Sequence, residues 1–210
     1  MPVPYLAVET RSNGKEERVN IAVIGTGRIG TALAEAWKQA GHRVSFGSRS
    51  GRTPIDGLLV AAPGDAADAA EVVVFAIPGA AMAETVAGLD LAGKLVIDCT
   101  NGGDSAEGPT VEMIAARAPS ATVVKAFNTL GVENFRAPQF AGGRPDLLYV
   151  SSDDSRGESV ETLISEVGLN PVRVGDLASA SVLDAATRFW FALAGVFGRH
   201  VAYSLLCEER

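Results

Sequence analysis

The chain has 210 residues, 47% of them hydrophobic, and 25 acidic against 18 basic side chains give a formal net charge of −7. That length and apolar content suit one sizeable α/β domain, and the acidic balance argues against a non-specific nucleic-acid binder. Two cysteines, Cys99 and Cys207, stand far apart without metal-ligand spacing, which argues against a disulfide framework and fits a reducing cytoplasm.

Residues 1–17, polar from Glu9 onward, contain Asn13-Gly14 and lack the charged region followed by an apolar one of a secretory signal. They read as a flexible lead to a single domain over 18–210. The apolar run Val19–Ile24 is the first expected strand, and a helix is expected from Ile29 to Ala40. Between them lies Gly25-Thr26-Gly27-Arg28-Ile29-Gly30. A Gly-rich turn between strand and helix is the context of the dinucleotide-binding fingerprint. Gly25 permits the tight turn, Gly27 lets backbone approach a pyrophosphate, and Gly30 lets helix and strand pack closely. The pyrophosphate would rest on the unsatisfied N–H groups of the helix N-terminus.

The second strand is expected at Arg43–Phe46, followed by Gly47-Ser48-Arg49-Ser50-Gly51-Arg52. An NAD site usually places a carboxylate about 20 residues after the glycines, to hold the ribose 2′-OH. Here no carboxylate occurs before Asp56. A hydroxyl and guanidinium groups would instead bind a 2′-phosphate, because Arg–phosphate hydrogen bonds are charge-assisted. The loop therefore reads as specific for NADP(H): Ser48 donates to the phosphate, Arg49 pairs with it or stacks on adenine, and Arg52 is a second cation within reach.

Helical runs at Asp65–Ala70, Ala80–Ala87 and Val111–Ala116 alternate with strands at Val72–Ile77, Leu95–Asp98 and Thr122–Ala126. Short continuous apolar strands between Ala-rich helices imply a doubly wound, mostly parallel sheet. Ligands bind at the carboxyl ends of such strands, and three motifs fall there. Ile77-Pro78 either packs against ribose or nicotinamide or merely ends the strand. Asp98-Cys99-Thr100-Asn101 supplies polar groups, although Asn-Gly is also turn chemistry, and Cys99 reads as a small buried residue rather than a nucleophile. After Lys125, which is expected to be structural, Asn128 is placed to hydrogen-bond a carboxamide or a second ligand. His42 falls at the opposite edge and reads as structural, and His200 as packing or surface.

A sixth strand is expected at Leu147–Val150, a helix over 155–167 and a short strand near Val172–Val174. From Leu177 to Leu206 the pattern is helical, with Gly195 and Gly198 as candidate breaks. Phe189, Trp190, Phe191, Leu193, Val196, Phe197, Val201, Tyr203 and Leu206 cover much of its circumference. Such a helix calls for burial, and pairing with a second copy of the chain would supply it. The stretch Phe189–Phe197 is too short to cross a bilayer core of about 30 Å, so no membrane association is expected. Neither a Ser-His-Asp arrangement, a metal constellation nor a Tyr-x-x-x-Lys dyad is evident. That scarcity of acid–base groups suits direct hydride transfer between two carriers.

Taken in order, Gly25–Gly30, Gly47-Ser48-Arg49, Ala76-Ile77-Pro78, Val124-Lys125-Ala126-Phe127-Asn128-Thr129 and the apolar C-terminal helix resemble the NADP oxidoreductase, coenzyme F420-dependent family. The cytosolic domain of the STEAP metalloreductases is similar. The resemblance runs from Val19 to Leu206. It implies a Rossmann-type fold, NADP(H) held by Thr26, Gly27, Arg28 and Ile29, Ser48 and Arg49 on the 2′-phosphate, and Ile77, Asn101 and Ala126 at the nicotinamide end. It also implies a homodimer paired through the C-terminal helices. Two positions depart from the family pattern: Thr53 stands near an expected cation, leaving that role to Arg52, and Asp184 replaces a glutamate of the terminal helix. The expected activity is cytoplasmic hydride transfer between NADP(H) and coenzyme F420 or a flavin. A non-catalytic NADP(H) sensor and a flavin-mediated metal reductase are compatible with the same residues.

Overall fold

The computed structural model describes residues 18–51, 53–101 and 109–206. The lead over 1–17, Arg52 and Cys207 lie outside the described residues. The first strand, β1 (Asn20–Ile24), is followed by α1 (Arg28–Gln39), β2 (Arg43–Gly47), β3 (Leu59–Ala61), α2 (Pro63–Asp68) and β4 (Val72–Phe75). A 3-10 turn at Gly79–Ala81 leads into α3 (Met82–Ala87), then β5 (Leu95–Asp98), α4 (Thr110–Arg117), β6 (Thr122–Lys125) and α5 (Val132–Arg136). The chain continues through β7 (Asp146–Ser151), α6 (Gly157–Glu166) and β8 (Asn170–Arg173) to α7 (Ala180–Phe197).

The strands form one eight-stranded sheet in the order β3-β2-β1-β4-β5-β6-β7-β8. Every neighbouring pair is parallel except β6–β7. This is the doubly wound, mostly parallel Rossmann-type sheet the alternation implied. Strands β4, β5 and β6 are buried at every position, because helices cover both faces. Alternate residues divide between the faces. Ile21, Val23, Val74, Ile97 and Val124 pack with Trp37 of α1, Phe135 of α5 and Leu163 of α6. Ala22, Ile24, Val73, Phe75 and Val123 pack with α2, α3 and α4 and with Leu183 of α7.

The strand order reverses between β1 and β4, so a crevice opens beyond their carboxyl ends, where ligands bind in open α/β sheets. At the opposite edge His42 is structural: its Nδ1 accepts from the Val19 N–H at 3.2 Å and its Nε2 lies 2.9 Å from both Glu166 oxygens.

Two short elements differ from the sequence expectation. β3 is a three-residue edge strand whose Leu59 is exposed, too short and uncovered to show a strand pattern. α5 is five residues long and buries Val132 and Phe135, one turn without room for a repeat.

The terminal segment differs more. The helical run Leu177–Phe197 ends at Gly198, whose φ of 82° breaks it, rather than continuing to Leu206. Residues 199–206 turn back as an extended strap: Val201 O accepts from Trp190 Nε1 at 2.8 Å, and Tyr203 O from the Asp146 N–H at 3.0 Å. His200 packs here, its Nε2 2.7 Å from Ala137 O and its ring stacked on Phe140. By length and composition the 21 residues Leu177–Phe197 suffice to cross a membrane, a longer run than Phe189–Phe197 alone. Only one stripe of α7 is buried, namely Ala180, Leu183, Thr187 and Trp190. Phe189, Phe191, Val196 and Phe197 are exposed at 55%, 51%, 75% and 69%.

Candidate active site: a dinucleotide cleft and a second cavity

The glycine loop is built by close approach. Gly25 has a φ of 115°, its N–H donates to Gly47 O at 3.1 Å, and a Cβ there would fall 2.4 Å from Ala76 O. A Cβ on Gly30 would fall 2.4 Å from Gly25 O and 3.1 Å from Val23 Cγ1. Both positions therefore require glycine for packing between β1, α1 and the end of β4. Gly27 is the N-cap of α1, with no side-chain cap and nothing within 4 Å of a Cβ. The N-terminal N–H groups of this 12-residue helix thus meet open space that suits a pyrophosphate.

On one side of the loop, a cavity is lined by Gly25, Thr26, Ser48, Arg49, Ile77 and Pro78, with Pro63, Glu84 and Thr85 opposite. Ser48 makes a local turn, its Oγ accepting from the Ser50 N–H at 3.2 Å and lying 3.0 Å from Ser50 Oγ. Arg49 is exposed. The structure thus brings Ser48 and Arg49, the expected 2′-phosphate residues, together with Ile77 and Pro78 in one cavity.

On the other side lies a second cavity, lined by Arg28 and Ile29 of α1, Cys99 and Asn101 after β5, Phe127 and Asn128 after β6, and Trp190 and Phe191 of α7. Ala126 lines neither cavity, since it is fully buried with its N–H on Asp98 O at 3.1 Å. Cys99 is 8% exposed, and burial together with the Asp98 carboxylate pushes its thiol well above its ordinary pKa. It is therefore a neutral wall residue rather than a nucleophile.

Phe127 has a φ of 63°, the single non-glycine residue with positive φ among the described residues. Such a conformation costs on the order of 1–2 kcal/mol. Its ring offsets this by packing edge-on against Trp37 and Phe135, with centroids 5.9 and 5.7 Å away. The turn delivers Asn128 to the cavity. Asn128 is 5% exposed, and its Nδ2 donates to Thr187 Oγ1 at 3.2 Å. Its Oδ1 is buried without a partner. A buried carbonyl oxygen without a donor is costly, and a ligand N–H, such as a carboxamide's, would satisfy it.

Beneath this cavity sits a buried charge cluster. Lys125 Nζ donates to Thr100 O at 3.0 Å and lies 3.7 Å from Asp98 Oδ2 and 3.9 Å from Asp184 Oδ1. Asp98 also accepts from the Thr100 N–H at 2.9 Å and Thr110 Oγ1 at 2.6 Å. The cluster ties β5, β6 and α7, three walls of the cavity, to one another. Among the described residues, no group of three or more His, Cys, Asp or Glu could hold a metal.

Residues 20–102, which carry the glycine loop and the Ser48-Arg49 pair, match the family model described as NADP oxidoreductase, coenzyme F420-dependent. The resemblance to this family is shown. It is a family of NADP-dependent oxidoreductases. A protein from Arthrobacter sp. FB24, provisionally assigned as an F420-dependent NADP reductase, has a crystal structure similar to this chain with a TM-score of 0.76. It is 28% identical, with 90% of this chain and 100% of that one covered. Metalloreductase STEAP3 of Rattus norvegicus is 26% identical over 81% of this chain and 36% of its own. Glycerol-3-phosphate dehydrogenase [NAD(P)+] of Jannaschia sp. (strain CCS1) is 31% identical over 78% of this chain and 56% of its own. The chain thus spans 36% and 56% of the lengths of these two curated relatives.

Several cavity residues escaped the sequence reading: Trp190, Phe191 and Arg199 of the C-terminal segment, Leu130 and Val132 after β6, and Pro63, Glu84 and Thr85 in the cavity of Ser48 and Arg49. One signal was present in Gly131, where a Cβ would fall 2.4 Å from Trp190 Cζ2, but it has meaning only once α7 is placed.

Proposed function

We propose that the protein is a cytoplasmic NADP(H)-dependent oxidoreductase that moves hydride between the nicotinamide and a deazaflavin such as coenzyme F420, or a flavin. The observation that carries this reading is the second cavity beyond the glycine loop, whose buried Asn128 Oδ1 lacks a partner. Bound NADPH supplies the hydride. The chain's own residues bind and orient: the α1 N-terminus faces the pyrophosphate, Ser48 and Arg49 take the 2′-phosphate, and Asn128 accepts from the carboxamide or from the acceptor ring. The described cavity lining comprises apolar, amide, guanidinium and thiol groups, which suits a transfer that depends on ring alignment more than on proton shuttling.

An acceptor screen following NADPH absorbance, with coenzyme F420, FMN and FAD, tests the assignment. Reduction of at least one is expected. Tight NADPH binding with no acceptor reduced would leave an NADP(H) sensor. Reduction of a ferric chelate only when flavin is added would move the assignment to flavin-mediated metal reduction, the class named for the STEAP3 relative.

Nucleotide choice is tested separately. Arg49→Ala removes a charge-assisted hydrogen bond of about 1.5–3 kcal/mol, so the Kd for NADPH should rise roughly 10- to 100-fold while that for NADH changes little. Equal weakening of both would take Arg49 away from the phosphate. Ser48→Asp should shift preference toward NADH.

The exposed face of α7 is assigned to a second copy of the chain. Residues 189–198 contain no charged side chain, so the face suits its own symmetry mate. The opposite face is fixed to its own domain by Thr187 on Asn128 O at 3.0 Å, by Trp190 and by Asp184 near Lys125. Those contacts favour a docked helix over one that leaves to cross a bilayer. Phe197→Asp should give a monomer or an insoluble chain in sedimentation analysis. An unchanged soluble dimer would place the interface elsewhere.

A further inference from the structure

The second cavity has two cations, Arg28 and Arg199, and no carboxylate in its lining, on a chain whose net charge is −7. Both arginines are held by one anchor. Arg28 Nη2 and Arg199 Nε donate to the same oxygen, Glu133 Oε1, at 2.8 and 2.9 Å. One carboxylate between two guanidinium groups leaves a unit of positive charge at the rim. Partial burial raises the Glu133 pKa, but hydrogen bonds from Arg199, its own backbone and Arg28 outweigh this and bring it to about 2. The anchor therefore stays ionised across the neutral range.

Arg199 is positioned by more than this pair. Its Cζ lies 5.0 Å from the centroid of the Trp190 ring, a cation–π distance. Trp190 is itself 2% exposed and tied to Val201 O. Gly131 permits the arrangement, since a Cβ there would overlap Trp190 and approach Glu133 Oε2 to 2.8 Å. Gly198, with its φ of 82°, turns the chain out of α7 and delivers Arg199 to the rim. Of five N–H donors on a guanidinium, Arg199 commits its Nε to Glu133, leaving its two Nη groups without a partner among the described residues. Arg28 opens α1 on the nucleotide side, while Arg199 comes from the α7 side.

We propose that Arg199 is a specificity residue that recognises a phosphate or carboxylate carried by the hydride acceptor at a distance from its reacting ring. This rests on the flavin or deazaflavin reading above. The anion would bind the free Nη groups, with Glu133 and Trp190 holding the guanidinium in place.

FMN and riboflavin share one ring and differ in a phosphate, so their ratio isolates the charge. The native protein should favour FMN over riboflavin by at least tenfold in kcat/KM. The preference should shrink as ionic strength rises, fall towards unity in Arg199→Gln and survive in part in Arg199→Lys. A native ratio near one, or a ratio unchanged in Arg199→Gln, overturns the proposal. If neither flavin is reduced, the flavin reading fails and coenzyme F420 remains as the acceptor to be screened, and the inference is then read from flavin-fluorescence titration of the NADP-bound protein. FMN binding at least tenfold tighter than riboflavin, lost in Arg199→Gln, supports it, and equal or absent binding of both overturns it. Competition by inorganic phosphate against FMN but not riboflavin supports the site. A Kd for NADPH weakened by Arg199→Gln as much as that for FMN would assign the arginine to the dinucleotide instead, and so overturns it.

Discussion

Lys125→Met should lower stability by about 3–5 kcal/mol, the range for removing one partner of a buried ion pair. Asp98 is fully buried, and Lys125 is 2% exposed. Without the ammonium group, Asp98 would keep its hydrogen bonds from Thr100 and Thr110 but lose its countercharge, and Thr100 O would lose its donor. A fall in the urea midpoint with an unchanged slope is the expected measurement. The double variant Asp98→Asn with Lys125→Met should recover part of the loss, because an unpaired buried charge costs more than a neutral pair. If the single variant unfolds at the native midpoint, the cluster is not the clasp between β5, β6 and α7 described above.

Gly25→Ala should be comparably severe, and for backbone reasons. The methyl group would fall 2.4 Å from Ala76 O and 2.9 Å from Ile77 Cγ2, at a φ of 115° that L-residues rarely adopt. Strain of about 1–3 kcal/mol from the backbone adds to about 1–3 kcal/mol from overpacking. The loop can relieve both only by moving away from the end of β4, which also moves the α1 N-terminus. Stability should therefore fall by at least about 2 kcal/mol, with the Kd for NADPH rising more than tenfold. Gly27→Ala is the control for packing. A Cβ there meets nothing within 4 Å, so its stability should stay near native while nucleotide binding weakens. Native binding by Gly27→Ala would show that the pyrophosphate does not approach that position.

The glycine-loop side of the candidate site was legible because its pattern is local. Strand, turn and helix are contiguous from Asn20 to Gln39, and Ser48 and Arg49 follow the very next strand. The second cavity was not, since its walls meet from distant parts of the chain. Arg28 reaches Glu133 across 105 residues, and Asn128 meets Thr187 across 59. The left-handed turn at Phe127 has no sequence marker, because glycine or asparagine would be expected there. Its stability comes from Trp37 and Phe135, which only the fold brings near. In the C-terminal segment, the apolar content was readable, but not which stripe faces the domain, nor that Gly198 sends the chain back as a strap.

The reversed direction of β7 has a consequence for reach. Lys125 pairs with Val150, and Val124 with Ser151, so β7 starts beyond the carboxyl end of β6 and runs back along it, and β8, parallel to β7 with Arg173 beside Tyr149, runs in the same reversed direction. The chain must then turn about to lie over the cleft side. By Asp184 it has already drawn level with Lys125, the last residue of β6. The remaining stretch of α7 to Phe197, about 20 Å at 1.5 Å per residue, overhangs the sheet. Among the described residues no strand covers the outer side, where Phe189, Phe191, Val196 and Phe197 stand exposed, so the same stretch is both a wall of the second cavity, through Trp190 and Phe191, and a bare apolar prow.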